Sequence, residues 1–372
     1  MFDYKQSGFF YNGGVLILGV LSDTHNIDRE TILRIVDDFK NRRVECIIHC
    51  GDIEPEHLDA DLFGGLPVIC ALIEEQMGKL EFENAPTGWT FTKPCGRIVQ
   101  IDKYQKIYVG HKRSFDFLNG SEDKLIQTLQ EIRKSHSGVR WFFSGHTHHQ
   151  IFLEGYLINF VNPGAVKDSF DGIEYALVNT DNREIVFCRI PKTKSIRPTF
   201  SVGVMSDSFD ITSMDPGYWS QLNIYLKERD VSCLIHCGNI FPDDIGRPEL
   251  KDFQVYYNLR SDQKTNRNFE NWHLIQAENP VVIIDGFKFY VQLDLGADLL
   301  IKSELDMHKL CVGLRRKYPE IKFVLCGFTN NSYLEEGETV SVINPGDTLK
   351  DRGVAIICLP RKEITFGHVP IA

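Results

Sequence analysis

The chain has 372 residues, a formal net charge of −10, and 42% hydrophobic and 25% charged residues. This length suggests two or three domains, each with the composition of an ordinary globular protein. The acidic balance argues against a nucleic-acid partner, and the sequence shows no signal segment or membrane-length apolar run, so we expect a cytoplasmic protein without a membrane partner.

Short apolar runs, predicted as strands, alternate with amphipathic stretches in the first half. The predicted strands lie at 15–22, 44–50, 66–72, 106–110 and 140–144. Apolar spacing predicts a helix over 29–39, and a second helix fits 122–134. Three later segments are typical of an antiparallel meander, at 151–160, 173–179 and 184–190. Because the early strands are apolar on both faces, we expect mixed sheets covered by helices.

The second half repeats this plan. After a proline-flanked segment at 191–198, which we predict to be the linker, strands are expected again, with a helix over 304–317. These strands are predicted at 200–205, 232–237, 253–257, 287–293 and 321–326. Short motifs at strand ends also recur in the same order and at nearly constant separation. We therefore predict two domains, 1–194 and 195–372, that share one duplicated fold.

Polar motifs stand where predicted strands of the first domain end. Asp23-Thr-His25 follows the first strand, Asp52 follows the second, and Gly-His146-Thr-His148 follows a later one. Because ligands of doubly wound sheets bind beyond the carboxyl ends of the strands, we expect these side chains to converge. Carboxylates and imidazoles suit divalent cations such as Mn, Fe, Ni or Zn. The sequence therefore predicts a metal site in the first domain.

In this order and spacing, the motifs resemble those of the calcineurin-like metallophosphoesterases, in particular the small bacterial and archaeal phosphodiesterase type. The resemblance implies an α/β fold, a four-layer αββα sandwich, present here twice in tandem. It also implies two divalent metal ions, with manganese among the candidates. Their implied ligands are Asp23, His25, Asp52, His111, His146 and His148.

The resemblance also assigns roles to these ligands. Asp52 would bridge the two metal ions, and His111, at the end of the strand over 106–110, would hold one of them together with His146. The remaining three ligands would hold the other ion. The implied reaction is phosphoester hydrolysis by a hydroxide that bridges the metal ions, so no side-chain nucleophile is needed.

The chain departs from the family after its third strand, where the family has Gly-Asn-x-Asp. Here Glu74 takes the place of the Asn and would be a seventh metal ligand, whereas a shift by one residue would give that role to Glu75. A carboxylate lacks the N–H donors that an amide offers to a phosphate. Glu74 would therefore slow turnover or favour a less charged diester over a monoester. Lys112 and Arg113, next to His111, are candidate substrate contacts.

In the second domain the corresponding positions have lost their metal ligands. Asp207 remains, but the strand before Leu293 offers no histidine. The other counterparts are Phe209, Asn239, Phe328 and Asn330. One carboxylate with these neighbours cannot hold two divalent cations well. We therefore predict that the second domain binds no metal pair and serves as a built-in, dimer-like partner.

The sequence thus predicts a metal-dependent phosphohydrolase, a diesterase rather than a monoesterase, that acts on a small phosphorylated substrate in the first domain. The alternative is a non-catalytic metal-binding or scaffold protein, since the retromer scaffold subunit, which is similar to this family, uses the fold in that way. A nuclease is less favoured because the chain is acidic. His49 and His236, inside predicted strands, are expected to be core histidines rather than ligands.

Overall fold

The computed structural model divides into two compact units, Met1–Arg183 with Phe187–Lys192 and Glu184–Val186 with Thr193–Ala372. The structure describes residues 16–59, 61–77, 86–92, 96–101, 105–111, 130–132, 134–155, 158–167, 169, 172–191, 199–265, 268–295, 304–327, 331–337 and 340–371. Most of the predicted linker at 191–198 lies outside these residues, so the domain boundary between 194 and 195 stays a prediction. Among the described residues, no helix is long and apolar enough to cross a bilayer.

The first unit contains two sheets and one long helix in its described part. Its strands are β1 (Ile17–Leu21), β2 (Cys46–His49), β3 (Val68–Ala71), β4 (Trp89–Thr92), β5 (Arg97–Gln100), β6 (Lys106–Val109), β7 (Val139–Phe143), β8 (Gln150–Leu153), β9 (Asn159–Pro163), β10 (Gly172–Asn179) and β11 (Ile185–Pro191). One sheet has the order β11-β10-β1-β2-β3-β4 and the other β8-β9-β7-β6-β5. The two sheets meet where β3 lies against β6 and β10 against β9.

Two features of the sequence explain why helix α1 (Arg29–Asn41) forms: a capping residue at its start and an apolar stripe along one face. Asp28 caps its first turn by accepting a hydrogen bond from the backbone N–H of Thr31 at 2.8 Å. Ile32, Val36 and other apolar residues of one face are buried. The predicted helix over 29–39 is thus confirmed, while most of the helix predicted over 122–134 lies outside the described residues. A short helix, α2 (Glu74–Met77), follows β3.

The strands β1, β2, β3 and β4 pair in the parallel sense, whereas β10 pairs with β1 in the antiparallel sense. All apolar strands predicted for this unit are confirmed, but β4 and β5 were not predicted. The predicted single meander is wrong. Its first half forms the β8–β9 hairpin of one sheet, whereas β10 and β11 belong to the other sheet. The chain turns between them at Gly164, where φ is 83°.

The second unit has the same strand order. Its strands are β12 (Phe200–Met205), β13 (Val231–His236), β14 (Gln254–Tyr257), β15 (Trp272–Leu274), β16 (Val281–Ile284), β17 (Phe287–Val291), β18 (Ile321–Leu325), β19 (Ser332–Glu336), β20 (Ser341–Pro345), β21 (Gly353–Leu359) and β22 (Glu363–His368). Its helices are α3 (Ile211–Met214), α4 (Tyr218–Lys227), α5 (Glu304–Lys317) and α6 (Thr348–Asp351). Its sheets read β15-β14-β13-β12-β21-β22 and β16-β17-β18-β20-β19. The predicted α/β class is therefore confirmed, and one topology occurs twice in the chain.

Candidate metal centre

The first part of the centre is the turn that follows β1. Asp23 and His25 both adopt left-handed backbone conformations, with φ of 53° and 42°. The backbone N–H of Asp23 donates to the Gly51 carbonyl, and that of His25 donates to the Asp52 carbonyl, each at 3.0 Å. Positive φ is uncommon outside glycine, so these hydrogen bonds hold the chain in a conformation it would otherwise seldom adopt. The turn after β1 is thereby fixed against the loop after β2.

His49 links the same two segments from within the core. The buried ring accepts a hydrogen bond from the Gly51 N–H at Nδ1, at 3.2 Å, so its Nε2–H donates to Thr24 Oγ1, 3.1 Å away. Burial lowers the pKa of His49 to about 3, which keeps the ring neutral. His49 is therefore a satisfied core histidine, as the sequence predicted.

His111 enters the centre from the end of β6 and is almost completely buried, at 1% exposure. Its Nδ1–H donates to the Cys50 carbonyl at 2.9 Å, which places Nε2 toward Asp23 Oδ1 at 3.8 Å. The ring packs against Gly51, where a Cβ atom would lie 2.7 Å from the ring and where φ is +110°. A glycine is therefore required at position 51 for both reasons.

The loop after β7 brings two further histidines to Asp23. His146 and His148 have φ of 75° and 59°. The His146 backbone N–H donates to Asp23 Oδ2 at 3.0 Å, and His148 Nε2 lies 3.4 Å from Asp23 Oδ1. The Asn162 side-chain amide donates to the Gly145 carbonyl at 3.0 Å and thus braces this loop from the end of β9.

The ligand atoms converge in two groups, each of whose members lie within 4.8 Å of one another. The groups are Asp23 with His25 and His148, and Asp23 with Asp52 and His111. Asp23 belongs to both groups, whereas the family resemblance gave the shared position to Asp52. Asp52 Oδ2 instead lies 3.3 Å from His25 Nδ1. The ring of His146 is 5.1 Å from that of His111 but lies outside both groups.

Among the candidate ligands, two buried atoms make no hydrogen bond within the described part of the chain. They are His25 Nε2 and Asp23 Oδ1, and the latter lies 3.4 Å from His148 Nε2 and 3.8 Å from His111 Nε2. Burial would raise the pKa of Asp23, but His148 and His111 beside it outweigh this effect and lower the pKa below its usual value. An ionised, buried oxygen that no hydrogen bond satisfies is costly unless a cation meets it. The donor set of the centre therefore fits divalent metal ions.

The structure places Glu74 and Glu75 at the exposed start of α2, outside both groups. The sheet register shows which residues of the two units correspond beyond β3. Ile47 pairs with Val68, and its counterpart Leu234 pairs with Val255. Counting on from these strands, Ile73 corresponds to Arg260.

Arg260 Nη1 lies 3.5 Å from Asn239 Oδ1, and Asn239 is the counterpart of Asp52. The assignment of Glu74 to the family's Asn position, and its role as a metal ligand, stay predictions. Lys112 and Arg113, the candidate substrate contacts, lie outside the described residues.

Gln76 was not among the site residues predicted from the sequence. Its side chain is buried and donates to the carbonyl of Ile53, the residue after Asp52. A signal was present in the sequence, because Gln263 stands at the same separation from the second copy of the strand motif.

The second unit retains the frame of the centre without its ligands. Its buried His236 accepts from the Gly238 N–H at 3.2 Å and lies 2.7 Å from Ser208 Oγ, as His49 does with its own partners. Leu293 takes the position of His111, because a Cβ atom on Gly238 would lie 2.9 Å from it. Within the described residues, this unit contains no group of three His, Cys, Asp or Glu side chains with metal-site geometry.

Two aromatic rings take the place of polar groups beside Asp207. Phe209, the counterpart of His25, is 38% exposed and packs edge-on against Phe241 at 5.2 Å between ring centroids. Phe328 and Asn330, the counterparts of His146 and His148, lie outside the described residues.

Comparisons with known proteins place these features in context. Residues 16–183 match the calcineurin-like phosphoesterase superfamily domain. A protein of Methanocaldococcus jannaschii described as a probable metallophosphoesterase is 31% identical over 159 residues, which are 42% of this chain and 71% of that protein. An archaeal phosphodiesterase structure is 19% identical, with a TM-score of 0.36, over 47% of this chain and all of its own. Vacuolar protein sorting 29 of Cryptosporidium parvum is 14% identical, with a TM-score of 0.37, over 49% of this chain and 95% of its own.

Proposed function

The chain belongs to the calcineurin-like phosphoesterase superfamily, and we propose that its first unit is a metal-dependent phosphodiesterase that uses two divalent metal ions. Its substrate would be a small phosphorylated molecule. The family match falls within the first unit, where the candidate ligands converge. Membership of the family also agrees with the resemblance drawn from the strand-end motifs.

One observation carries this proposal. Asp23 Oδ1 and His25 Nε2 are buried and make no hydrogen bond within the described residues, and both residues belong to one group of converging metal-ligand side chains. Folding leaves such atoms unpaired only at considerable cost, and the cost is recovered when a cation binds them. The backbone of both residues is left-handed, and hydrogen bonds to the carbonyls of Gly51 and Asp52 fix that conformation.

The residues of the chain would act mainly by holding and orienting. Asp23, His25 and His148 would bind one metal ion, and Asp52 and His111 would take part in binding the other. Divalent ions bound there would polarise a phosphoryl oxygen and lower the pKa of a coordinated water. The Cys50 carbonyl fixes the tautomer of His111, which leaves its Nε2 as the donor atom toward the centre.

Two carboxylates at the start of α2 support a preference for diesters. Glu74 and Glu75 are exposed there, directly after β3. A carboxylate offers no N–H donor to a phosphate, unlike the Asn that the family has at the position assigned to Glu74, and it adds negative charge. A phosphodiester, with its smaller charge, would bind there with less electrostatic penalty than a monoester dianion.

We also propose that the second unit binds no metal pair. The Asn239 amide donates to Asp207 Oδ1 at 3.0 Å and satisfies the carboxylate that a metal ion would otherwise meet. The unit would then serve as a built-in structural partner, as small members of the family often form homodimers.

Hydrolysis of bis-p-nitrophenyl phosphate with added Mn²⁺ tests the proposal. His25→Ala should lower the rate by at least about 100-fold, because it removes a metal ligand. His149→Ala, at a neighbouring histidine outside both ligand groups, is the matched control and should retain the rate. Comparison with p-nitrophenyl phosphate tests the preference for diesters. If wild-type protein shows no activity with any divalent metal, the non-catalytic scaffold becomes the better description.

A further inference from the structure

Gln76 joins the end of β3 to the loop that carries Asp52. Its Oε1 accepts a hydrogen bond from the backbone N–H of Ile73 at 3.0 Å, and its Nε2 donates to the carbonyl of Ile53. The side chain is only 7% exposed. Both ends of the amide are therefore used inside the protein, and neither end points to solvent.

The Ile53 carbonyl, which accepts the hydrogen bond from Gln76, lies next to two segments that carry candidate metal ligands. Ile53 is the residue after Asp52, and it forms an isolated parallel bridge with His25. Asp52 itself has φ of 59°, a conformation that residues other than glycine seldom adopt. The Gln76 amide thus fixes the backbone directly beside a strained ligand residue.

The same connection occurs in the second unit. Gln263 Oε1 accepts from the Arg260 N–H at 3.0 Å, and its Nε2 donates to the Ile240 carbonyl at 3.0 Å. Ile240 follows Asn239, whose φ is also 59°. The glutamine contact therefore accompanies the left-handed residue in both units, although only the first unit has converging metal ligands.

We propose that Gln76 is a positioning residue for Asp52 in the metal centre, an inference that rests on the proposed metal-dependent function. Without its amide, the loop after β2 would relax toward ordinary backbone conformations and move the Asp52 carboxylate away from Asp23 and His111. Groups that orient metal ligands without touching the metal typically change metal affinity by 10–100-fold when they are removed. The glutamine should therefore influence metal binding more than overall stability.

Two variants separate the hydrogen bonds of Gln76. Gln76→Met keeps the length and volume of the side chain but removes both bonds. Gln76→Glu keeps an oxygen that can accept from the Ile73 N–H but places the other oxygen against the Ile53 carbonyl. Gln263→Met removes the equivalent bonds from the second unit and is the matched control for any effect on folding.

Calorimetric titration of chelator-treated protein with Mn²⁺, together with thermal unfolding without added metal, tests the inference. Both Gln76 variants should weaken Mn²⁺ binding by roughly 10-fold or more, while Gln263→Met binds as the wild type does. Gln76→Met and Gln263→Met should lower the unfolding temperature by similar amounts. At saturating Mn²⁺ the activity of Gln76→Met should largely return, because excess metal compensates for a weaker site.

The outcomes that overturn the inference differ from those that overturn the function. If Gln76→Met and Gln76→Glu bind Mn²⁺ like the wild type, Gln76 does not position Asp52. If Gln263→Met weakens binding as much as Gln76→Met does, the effect belongs to general stability, and the inference is also wrong. If the wild type binds no Mn²⁺, the proposed metal-dependent function fails first and the inference falls with it.

Discussion

In the second unit, the side-chain amide of Asn239 donates a hydrogen bond to Asp207 Oδ1 at 3.0 Å. The first unit has carboxylates at both corresponding positions, Asp52 and Asp23. All four residues are left-handed, with φ between 53° and 59°. Both units therefore have the same turns at their strand ends. In the second unit an amide satisfies the Asp207 carboxylate, whereas in the first unit an oxygen of Asp23 remains for a cation.

Asp52→Asn should convert the first centre into the arrangement of the second. The new amide can donate to Asp23, so we expect the free energy of unfolding without metal to rise by about 1 kcal/mol. Mn²⁺ binding should be lost, because a neutral amide replaces a carboxylate ligand. Urea unfolding of chelator-treated protein and a Mn²⁺ titration measure the two effects. Lower stability combined with unchanged Mn²⁺ binding would contradict this account.

Asn239→Asp should have the opposite effect on stability. It replaces a donor by a second carboxylate beside Asp207, so we expect a loss of about 1–3 kcal/mol at neutral pH. Part of this loss should be recovered near the pKa of a carboxyl group, at about pH 4, because protonation of one partner removes the repulsion. Asn239→Ala loses the same hydrogen bond without adding charge. The free energy of unfolding that Asn239→Ala loses should therefore be the same at neutral and at acidic pH. An equal recovery of stability in both variants at acidic pH would refute the explanation.

The sequence indicated which candidate ligands would lie close together, because they stand at the ends of apolar strands. Asp23 and Asp52 follow β1 and β2, whose parallel pairing brings them together. Two short strands were not predicted, β4 with Trp89–Thr92 and β5 with Arg97–Gln100. Neither is a continuous apolar run, and each is recognised only from its partner strand.

Register and backbone conformation account for what the sequence could not predict. The sheet register relates Ile73 to Arg260, but it compares only the two units with each other and so leaves the assignment of Glu74 a prediction. The division of residues 151–190 between two sheets depends on long-range pairing of β9 with β7 and of β10 with β1. The sharing of Asp23 between two ligand groups depends on left-handed turns that motif spacing does not encode.

The neutral, buried His236 should make stability depend on pH. Burial lowers its pKa to about 3, whereas an unfolded histidine has a pKa of about 6.5. Between these values the unfolded chain binds more protons than the folded one, so stability rises with pH and is lost as the pH falls below about 6.5. Each such histidine contributes a slope of at most about 1.4 kcal/mol per pH unit.

His236→Gln should reduce this slope while leaving any Mn²⁺ binding by the first unit unchanged. Urea unfolding of chelator-treated protein at several pH values between about 4 and 7 measures the slope. His273→Gln is a suitable control, since His273 is exposed and contacts Gln254 at the surface. Identical slopes for wild type and His236→Gln would show that His236 does not change its protonation on unfolding.

The close approach of Gly51 to His111 leads to a final prediction. In Gly51→Ala the new methyl group would lie 2.7 Å from the imidazole ring, and φ at this position is +110°. His111 would have to move away from Asp23, and the backbone would be strained. We expect a loss of about 1–3 kcal/mol in unfolding free energy from the strain, together with weaker Mn²⁺ binding.

Gly65→Ala separates the two causes. Gly65 also has positive φ, at +74°, but a Cβ atom there would meet nothing within 4 Å. This variant should lose about 1 kcal/mol through backbone strain alone and bind Mn²⁺ normally. Because both variants bear the cost of an alanine at positive φ, the difference between their Mn²⁺ affinities reports the displacement of His111. Equal affinities would mean that the imidazole can yield to the methyl group without leaving the centre.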